Sequence, residues 1–326
     1  MITISGESDL LLTCVQETDG IAVLRCQSSA QTIYLPDCIN HLPIVRLGDY
    51  AFSSRSPKSL PPDSFFVRIT TGSDELITHN AAEIRRVRLP QPLIQLGSYC
   101  FYNCTKLEHL EIGSELSQVG ADAFMNCFSL HQLLVHTSAQ NCRCLRTILQ
   151  IYSGELEVTF LSDNSPECHL FFPAFDEEYE EMAAPHIFYY NIAGNGYLCR
   201  QSFTGHTFQF AQYDAAFHLL LQTHSFQLAT LVALDRLQYP VELGDGAKAD
   251  YLRHLTSHDK SALEVILSAK DTVRLSFFLN LGIVSAESLA AACTVARNAG
   301  QTEALGLLLD YQNRNFGAPK AKTFDL

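Results

Sequence analysis

Between Ile84 and Val135 the chain repeats one pattern at a fixed step, and that step limits the folds open to it. Gly97 and Gly120, Phe101 and Phe124, Asn103 and Asn126, and Cys104 and Cys127 are each 23 residues apart. Exact register at this many chemically matched positions marks a repeat architecture. Each copy opens on apolar-x-x-apolar-x-apolar: Ile84, Val87, Leu89; then Leu107, Leu110, Ile112; then Leu130, Leu133, Val135. On extended backbone, residues two apart share a face, so Leu110 and Ile112 point inward while His109 and Glu111 point outward. One such strand cannot bury its apolar face alone, whereas copies stacked about 4.8 Å apart build a continuous core. Gly97 and Gly120 suit a tight backbone reversal on the return path. Phe52, Phe101 and Phe124 read as an aromatic spine behind the strands.

The run Leu96-Gly97-Ser98-Tyr99-Cys100-Phe101-Tyr102-Asn103-Cys104, with Leu107 beyond it, resembles the leucine-rich repeat of the BspA-like bacterial surface-antigen type. The resemblance extends over about residues 20–136. It implies a right-handed solenoid with parallel strands on a concave face, a role in protein recognition, and no catalytic residues. Cys100 departs from Ala51 and Ala123 of the other copies, which implies slightly looser local packing. One repeat step would put the Cα atoms of Cys104 and Cys127 roughly 5 Å apart, inside the disulfide window. Buried free cysteine is also a common small apolar core residue, and the family's cysteine ladder favours that reduced state.

Composition sets outer limits. A length of 326 residues suggests two domains. A formal charge of −13 argues against non-specific nucleic-acid binding, which needs a basic surface. Eleven cysteines is an odd number in a chain too long to be a disulfide miniprotein. The start, Met1-Ile2-Thr3-Ile4-Ser5-Gly6-Glu7-Ser8-Asp9, lacks the basic region of a signal peptide, and no apolar run approaches the ~18 residues of a membrane span. A reduced, cytoplasmic, bacterial protein is the expectation.

Taken in order, Leu10–Val15 and Ile21–Cys26 flank Asp19-Gly20, a hairpin signal read as the N-terminal cap of the solenoid. Ile33-Tyr34-Leu35-Pro36 and Leu47–Phe52 form a first repeat. Register then fails between Phe52 and Ile84, where Pro57, Pro61 and Pro62 stand, leaving either an insertion or a degenerate repeat, with one irregular strand at Phe65–Thr71. After Val135, Cys144–Tyr152 suits a short helix, while Leu156–Leu161 and Ile187–Ile192 suit strands. Cys142 and Cys144 lack zinc-site spacing. Asp176, Glu177, Glu178, Glu180 and Glu181 with His186 form the one acidic cluster. Consecutive acids on a helix splay around it, so a solvated helical face is expected over a metal site. Gly194-Asn195-Gly196 reads as a turn, lacking the continuation and lysine of a phosphate loop.

From Phe210 the period shifts from 2 to 3.6. Tyr213, Phe217, Leu220 and Leu221 share one helical face; Leu228, Leu231, Val232 and Leu234 share another, ended by Tyr239-Pro240. Helices follow at Ala247–Ser257, Lys260–Ser268, Val273–Leu281, Ala286–Asn298 and Glu303–Gln312, with Gly282 and Gly300 as stops. A weaker repeat of 30 residues links Leu263 to Cys293, Leu275 to Leu305, Phe278 to Leu308 and Leu279 to Leu309. It resembles ankyrin-like or other α-solenoid helix pairs, without the ankyrin Thr-Pro-Leu-His signature.

The expected fold is therefore α+β and multidomain. It comprises a leucine-rich-repeat β-solenoid with a hairpin cap (1–145), a mixed connector (146–207), an all-α helical-repeat domain (208–314) and a flexible tail (315–326). No nucleophile, base and stabiliser converge in any recognisable motif, so no catalytic residue, cofactor or metal is assigned. The expected activity is that of a non-catalytic scaffold for protein partners, with neither nucleic acid nor membrane among them. The candidate contact residues are the outward strand positions Tyr34, Arg86, Arg88, His109, Glu111, Gln132 and Leu134, together with the helical-repeat surface. Arg88 and Glu111 are expected to form an ordinary cross-strand ion pair. The alternative is an enzyme or metal-binding site in the connector around Asp176–His186.

Overall fold

The computed structural model describes residues 2–55, 59–72, 77–163, 165–182, 187–193, 196–222 and 226–316. The chain divides into two compact units, Met1–Ala216 and Phe217–Leu326.

The first unit is built on two sheets. Its strands run β1 (Ile2–Ser5), β2 (Leu10–Glu17), β3 (Gly20–Gln27), β4 (Thr32–Tyr34), β5 (Cys38–Ile39), β6 (Leu42–Leu47) and β7 (Phe65–Thr70). They continue through β8 (Arg86–Arg88), β9 (Gln95–Leu96), β10 (His109–Ile112), β11 (Gln118–Val119) and β12 (Gln132–Val135). After helix α1 (Leu145–Ile151) come β13 (Leu156–Ser162) and β14 (Ser165–Phe172). One sheet has the order β14-β13-β12-β10-β8-β4, and the pairs β4·β8, β8·β10, β10·β12 and β12·β13 are all parallel. The other has the order β1-β7-β2-β3-β6-β9-β11, with β5 paired to β6 off its path. The copies that open at Ile84 and Leu107 thus contribute one strand to each sheet, and the copy that opens at Leu130 contributes β12 to the first. Val87, Leu89, Leu110, Ile112, Leu133 and Val135 are buried between them.

The return path is held by ladders of identical residues. The rings of Phe52 and Phe101 stack at 4.7 Å and those of Phe101 and Phe124 at 5.7 Å, all fully buried or nearly so. Cys127 donates its thiol to the Phe101 carbonyl at 3.2 Å, and the Cys104 sulfur lies 3.9 Å from the Phe52 carbonyl. The Asn126 amide donates to the Asn103 side-chain oxygen at 2.7 Å. Left-handed backbone falls on Tyr50, Tyr99 and Asp122, and again on Asn103 and Asn126 at φ 64° each. Glycine does a different job from the expected reversal. Gly97 and Gly120 are not in the left-handed region, but a Cβ on Gly97 would sit 2.4 Å from the Gly48 carbonyl carbon, and one on Gly120 2.4 Å from the Ser98 nitrogen. The glycines are required where successive rungs touch backbone to backbone.

The segment between the first and second repeats is neither a degenerate repeat nor a loose loop throughout. Its strand β7 pairs antiparallel with β2 (Leu10↔Ile69) and parallel with β1 (Ile2↔Val67), burying Val67 and Ile69. The β2–β3 hairpin in turn joins the repeat strands through β6 (Val23↔Leu47). The cap is therefore a four-stranded extension of the return-path sheet.

Residues after 146 continue the strand-face sheet, since β13 pairs with β12 from Gln132↔Glu157 to Val135↔Phe160. Beyond β14 the acidic stretch departs from the helical expectation. Strand β15 (Asp176–Met182) pairs antiparallel with β16 (Ile187–Ala193), from Asp176↔Ala193 to Met182↔Ile187. Helix α2 (Gly196–Arg200), the hairpin β17 (Phe203–Thr204) and β18 (Thr207–Phe208), and α3 (Phe210–Ala215) complete the unit. The buried Arg200 guanidinium donates to the carbonyls of Pro173 and Gly154 and lies 5.1 Å from the Phe175 ring centre. Burial pulls its pKa down to about 10.

The second unit holds α4 (Phe217–Gln222), α5 (Phe226–Gln238), α6 (Asp245–Ser257), α7 (Asp259–Ala269), α8 (Thr272–Asn280), α9 (Ala286–Asn298) and α10 (Thr302–Asn315). The face expected over Tyr213 to Leu221 is split between α3 and α4, and Leu221 is exposed. The 30-residue repeat appears as packing of α7 on α9 and α8 on α10, with Leu263, Cys293, Leu275 and Phe278 all buried. Leu309 breaks the correspondence with Leu279, being exposed on the last helix. Asp271 and Ser285 accept N-terminal backbone N–H groups of α8 and α9, and Gly282 and Gly300 take φ of 70° and 67° after the helices they close. Asp259 ties α7 to α9 by accepting from the Ser285 nitrogen and the Ser288 hydroxyl, and the buried Asp235 carboxylate ties α5 to α8 by accepting from Arg274 at 2.9 Å.

Candidate interaction surface

Parallel register turns the outward strand positions into two rows. One runs Thr32, Arg86, His109, Gln132, Glu157; the other runs Tyr34, Arg88, Glu111, Leu134, Thr159, then His169 across the antiparallel β14. All seven candidate contact residues lie in these rows. Glu157, Thr159 and His169 were not assigned from the sequence. Alternation in Leu156–Leu161 shows a strand there, but nothing local shows that the strand extends this sheet.

The rows are not equivalent electrically. Arg88 does not bond Glu111: its guanidinium donates to Glu7 at 2.8 Å and lies 4.8 Å from the Tyr34 ring centre. Glu111 instead accepts from the His136 Nε2 at 2.7 Å. Behind the first row, Arg85 pairs with Glu108 and Lys106 with Glu83, each pair spanning one repeat step. Arg86 is exposed, and neither its side chain nor that of Glu157 has a hydrogen-bond or ion-pair partner among the described residues. Burial first, then the neighbouring Arg86 and His131, holds the His109 imidazole below its ordinary pKa. Its ring lies 5.3 Å from that of His131.

Arg86, His109, Leu134, Glu157, Thr159 and His169 are among the residues lining a shallow concavity of about 210 Å³. That lies below the roughly 300–1,000 Å³ of small-molecule sites. A second concavity, about 540 Å³, lies within the helical unit beside His218, Phe226, Asp250, His254 and His258. Among the described residues no group of three or more His, Cys, Asp or Glu side chains is arranged to hold a metal ion. No helix there is long and apolar enough to cross a membrane. Of the connector alternative, Asp176–Glu181 lie on β15, and their side chains and His186 fall outside the described residues, as do Gly194-Asn195 and the tail from 317.

A strand face displayed by stacked 23-residue copies defines a leucine-rich-repeat surface. Residues 77–144 match the family described as "BspA type Leucine rich repeat region (6 copies)". Among solved structures, the chain is similar to a leucine-rich-repeat protein of T. pallidum at 20% identity and TM-score 0.27. That match covers 39% of this chain and 51% of the other. It is also similar to a leucine-rich cell surface protein of Faecalibacterium prausnitzii at 18% identity and TM-score 0.25, covering 45% of this chain and 40% of the other. This chain therefore spans about half, or less, of the length of either. No curated protein matches.

Proposed function

We propose that the chain is a non-catalytic scaffold that binds protein partners through the strand face of its leucine-rich repeats, with the helical-repeat surface as a second contact. The carrying observation is the pair of rows on rigid parallel strands, displaying exposed and half-exposed polar side chains over a shallow concavity. Extended repeat surfaces of this kind suit macromolecular contact better than small-molecule capture. The solenoid winds right-handed in this reading, as parallel crossovers almost always do. Ten buried free cysteines support a reducing, cytoplasmic setting.

The test is affinity purification with mass spectrometry, comparing the native chain with Arg86→Glu and with Arg88→Glu. Arg86→Glu removes a partnerless cation, so capture should fall while the melting temperature stays unchanged. Arg88→Glu faces Glu7 and loses its place over Tyr34, so it should lower both. Capture indifferent to Arg86→Glu removes the strand face from the proposal.

A further inference from the structure

We infer that the strand face recognises an extended peptide segment carrying an acidic and a basic side chain four residues apart. This rests on the reading of that face as a partner surface and names what the partner presents there. Within the second row the charges are satisfied inside the chain, Arg88 by Glu7 and Glu111 by His136. Arg85 and Glu108 satisfy each other at the strand entrances. Two side-chain charges remain without partners among the described residues, Arg86 next to Thr32 in the first row and Glu157 at its far end, with His109 and Gln132 between them.

The spacing fixes the partner. Arg86 and Glu157 are three strand steps apart, about 14 Å at ~4.8 Å per step. An extended chain rises about 3.3 Å per residue, and residues i and i+4 lie on one side of it, so two side chains at that separation reach both charges together. A residue at i+2 on the same side falls above His109 and Gln132. On an α-helix the same two residues span only about 6 Å, so a helical segment would need a far longer spacing. Charge complementarity of this kind sets partner choice and register more than total affinity.

The test is selection of random dodecapeptides displayed on phage against the immobilised full chain. Peptides with an acid and a base at i and i+4 should be enriched at least fivefold over the starting library. Glu157→Lys, which places cations at both ends, should select two acids at that spacing; Arg86→Glu should select two bases. Enrichment without the spacing, or the same peptides from all three proteins, overturns the inference. His109→Trp, which fills the middle of the row, separates the two levels. If peptides lacking the charge pair lose binding to His109→Trp, the face binds peptides and only the charge rule has failed. If they bind His109→Trp unchanged, or no peptide is selected, the reading of the face fails with it. A native chain that sediments as a dimer, and Arg86→Glu as a monomer, would show a second copy on this face instead and would also overturn the inference.

Discussion

Replacing Gly97 by alanine tests how the rungs are held together. The added Cβ would meet the Gly48 carbonyl carbon at 2.4 Å, the Asp49 nitrogen at 2.5 Å and the Gly48 oxygen at 2.6 Å. All three are backbone atoms, so no flexible side chain can yield. Reaching ordinary contact near ~3.5 Å requires the rungs to part by about 1 Å. That motion strains the Gly97 N–H to Leu47 carbonyl bond, now 2.8 Å, and the Phe52–Phe101 stack. Overpacking costs about 1–3 kcal/mol and a weakened hydrogen bond about 1, against a gain of about 0.4–1 from stiffening the unfolded chain, for a net loss of about 1–4 kcal/mol. Gly246→Ala is the control: nothing lies within 4 Å of its Cβ in the first turn of α6, so it should stabilise the helical unit by up to ~1 kcal/mol. Hydrogen exchange read by mass spectrometry across a urea series reports the rungs and the helices separately. A rung midpoint for Gly97→Ala indistinguishable from the native chain would refute close backbone approach as the reason for glycine.

Two further outcomes follow from burial. Of the eleven free cysteines only Cys38 is exposed, and burial pushes the Cys14 and Cys127 thiols up to about 12. Maleimide at pH 7.5 should therefore add one label to the native chain and eleven once it is unfolded, counted by intact mass; two or more fast labels would contradict the burial of the other ten thiols. In the helical unit, burial and then His258 pull His254 down to about 4 from an ordinary 6.5, while its Nε2 lies 3.2 Å from the Thr230 hydroxyl. The unfolded chain then binds more protons than the folded one between those pH values. Stability of this unit should be full above pH 6.5 and fall toward pH 4, and His254→Gln should flatten that part of the slope in urea melts at stepped pH. An identical slope for the variant would show that His254 is not the titrating group.

Much of this structure was legible because the sequence states it locally. Helix α9 begins and ends where Ser285 and Gly300 predict, since caps act within one turn. The rung strands follow from period-two apolar spacing. What escaped depended on distance along the chain. Arg88 and Glu111 are indeed opposite one another in register, yet Arg88 is taken by Glu7, 81 residues earlier and in a segment with no periodic signal. The pairing of β7 with β1 and β2 was invisible for the same reason. The acids at 176–181 misled in another way. Charge runs carry no strand period, and cross-strand pairing with Ile187–Ala193 outweighed any helical preference. Sequence spacing marks the glycine ladder but cannot distinguish a glycine needed for φ from one needed for contact.

The division of labour inside each rung separates the groups that hold the fold from those that the strand face displays. Main-chain bonds such as Phe101 N–H to the Ala123 carbonyl, at 2.8 Å, link one rung to the next on the return side. The phenylalanine, cysteine and asparagine ladders lie on that side as well. The strand face contributes its inward residues to the core, but Arg86, His109, Gln132 and Glu157 in its first row touch little that the fold requires. Substitutions there alter charge and shape at small cost in stability, as exposed positions generally do. The second row is different, because Arg88 anchors the loop carrying Glu7 and Glu111 holds His136. Variation is therefore expected to be tolerated in the first row, while the second keeps the rim of the face in place.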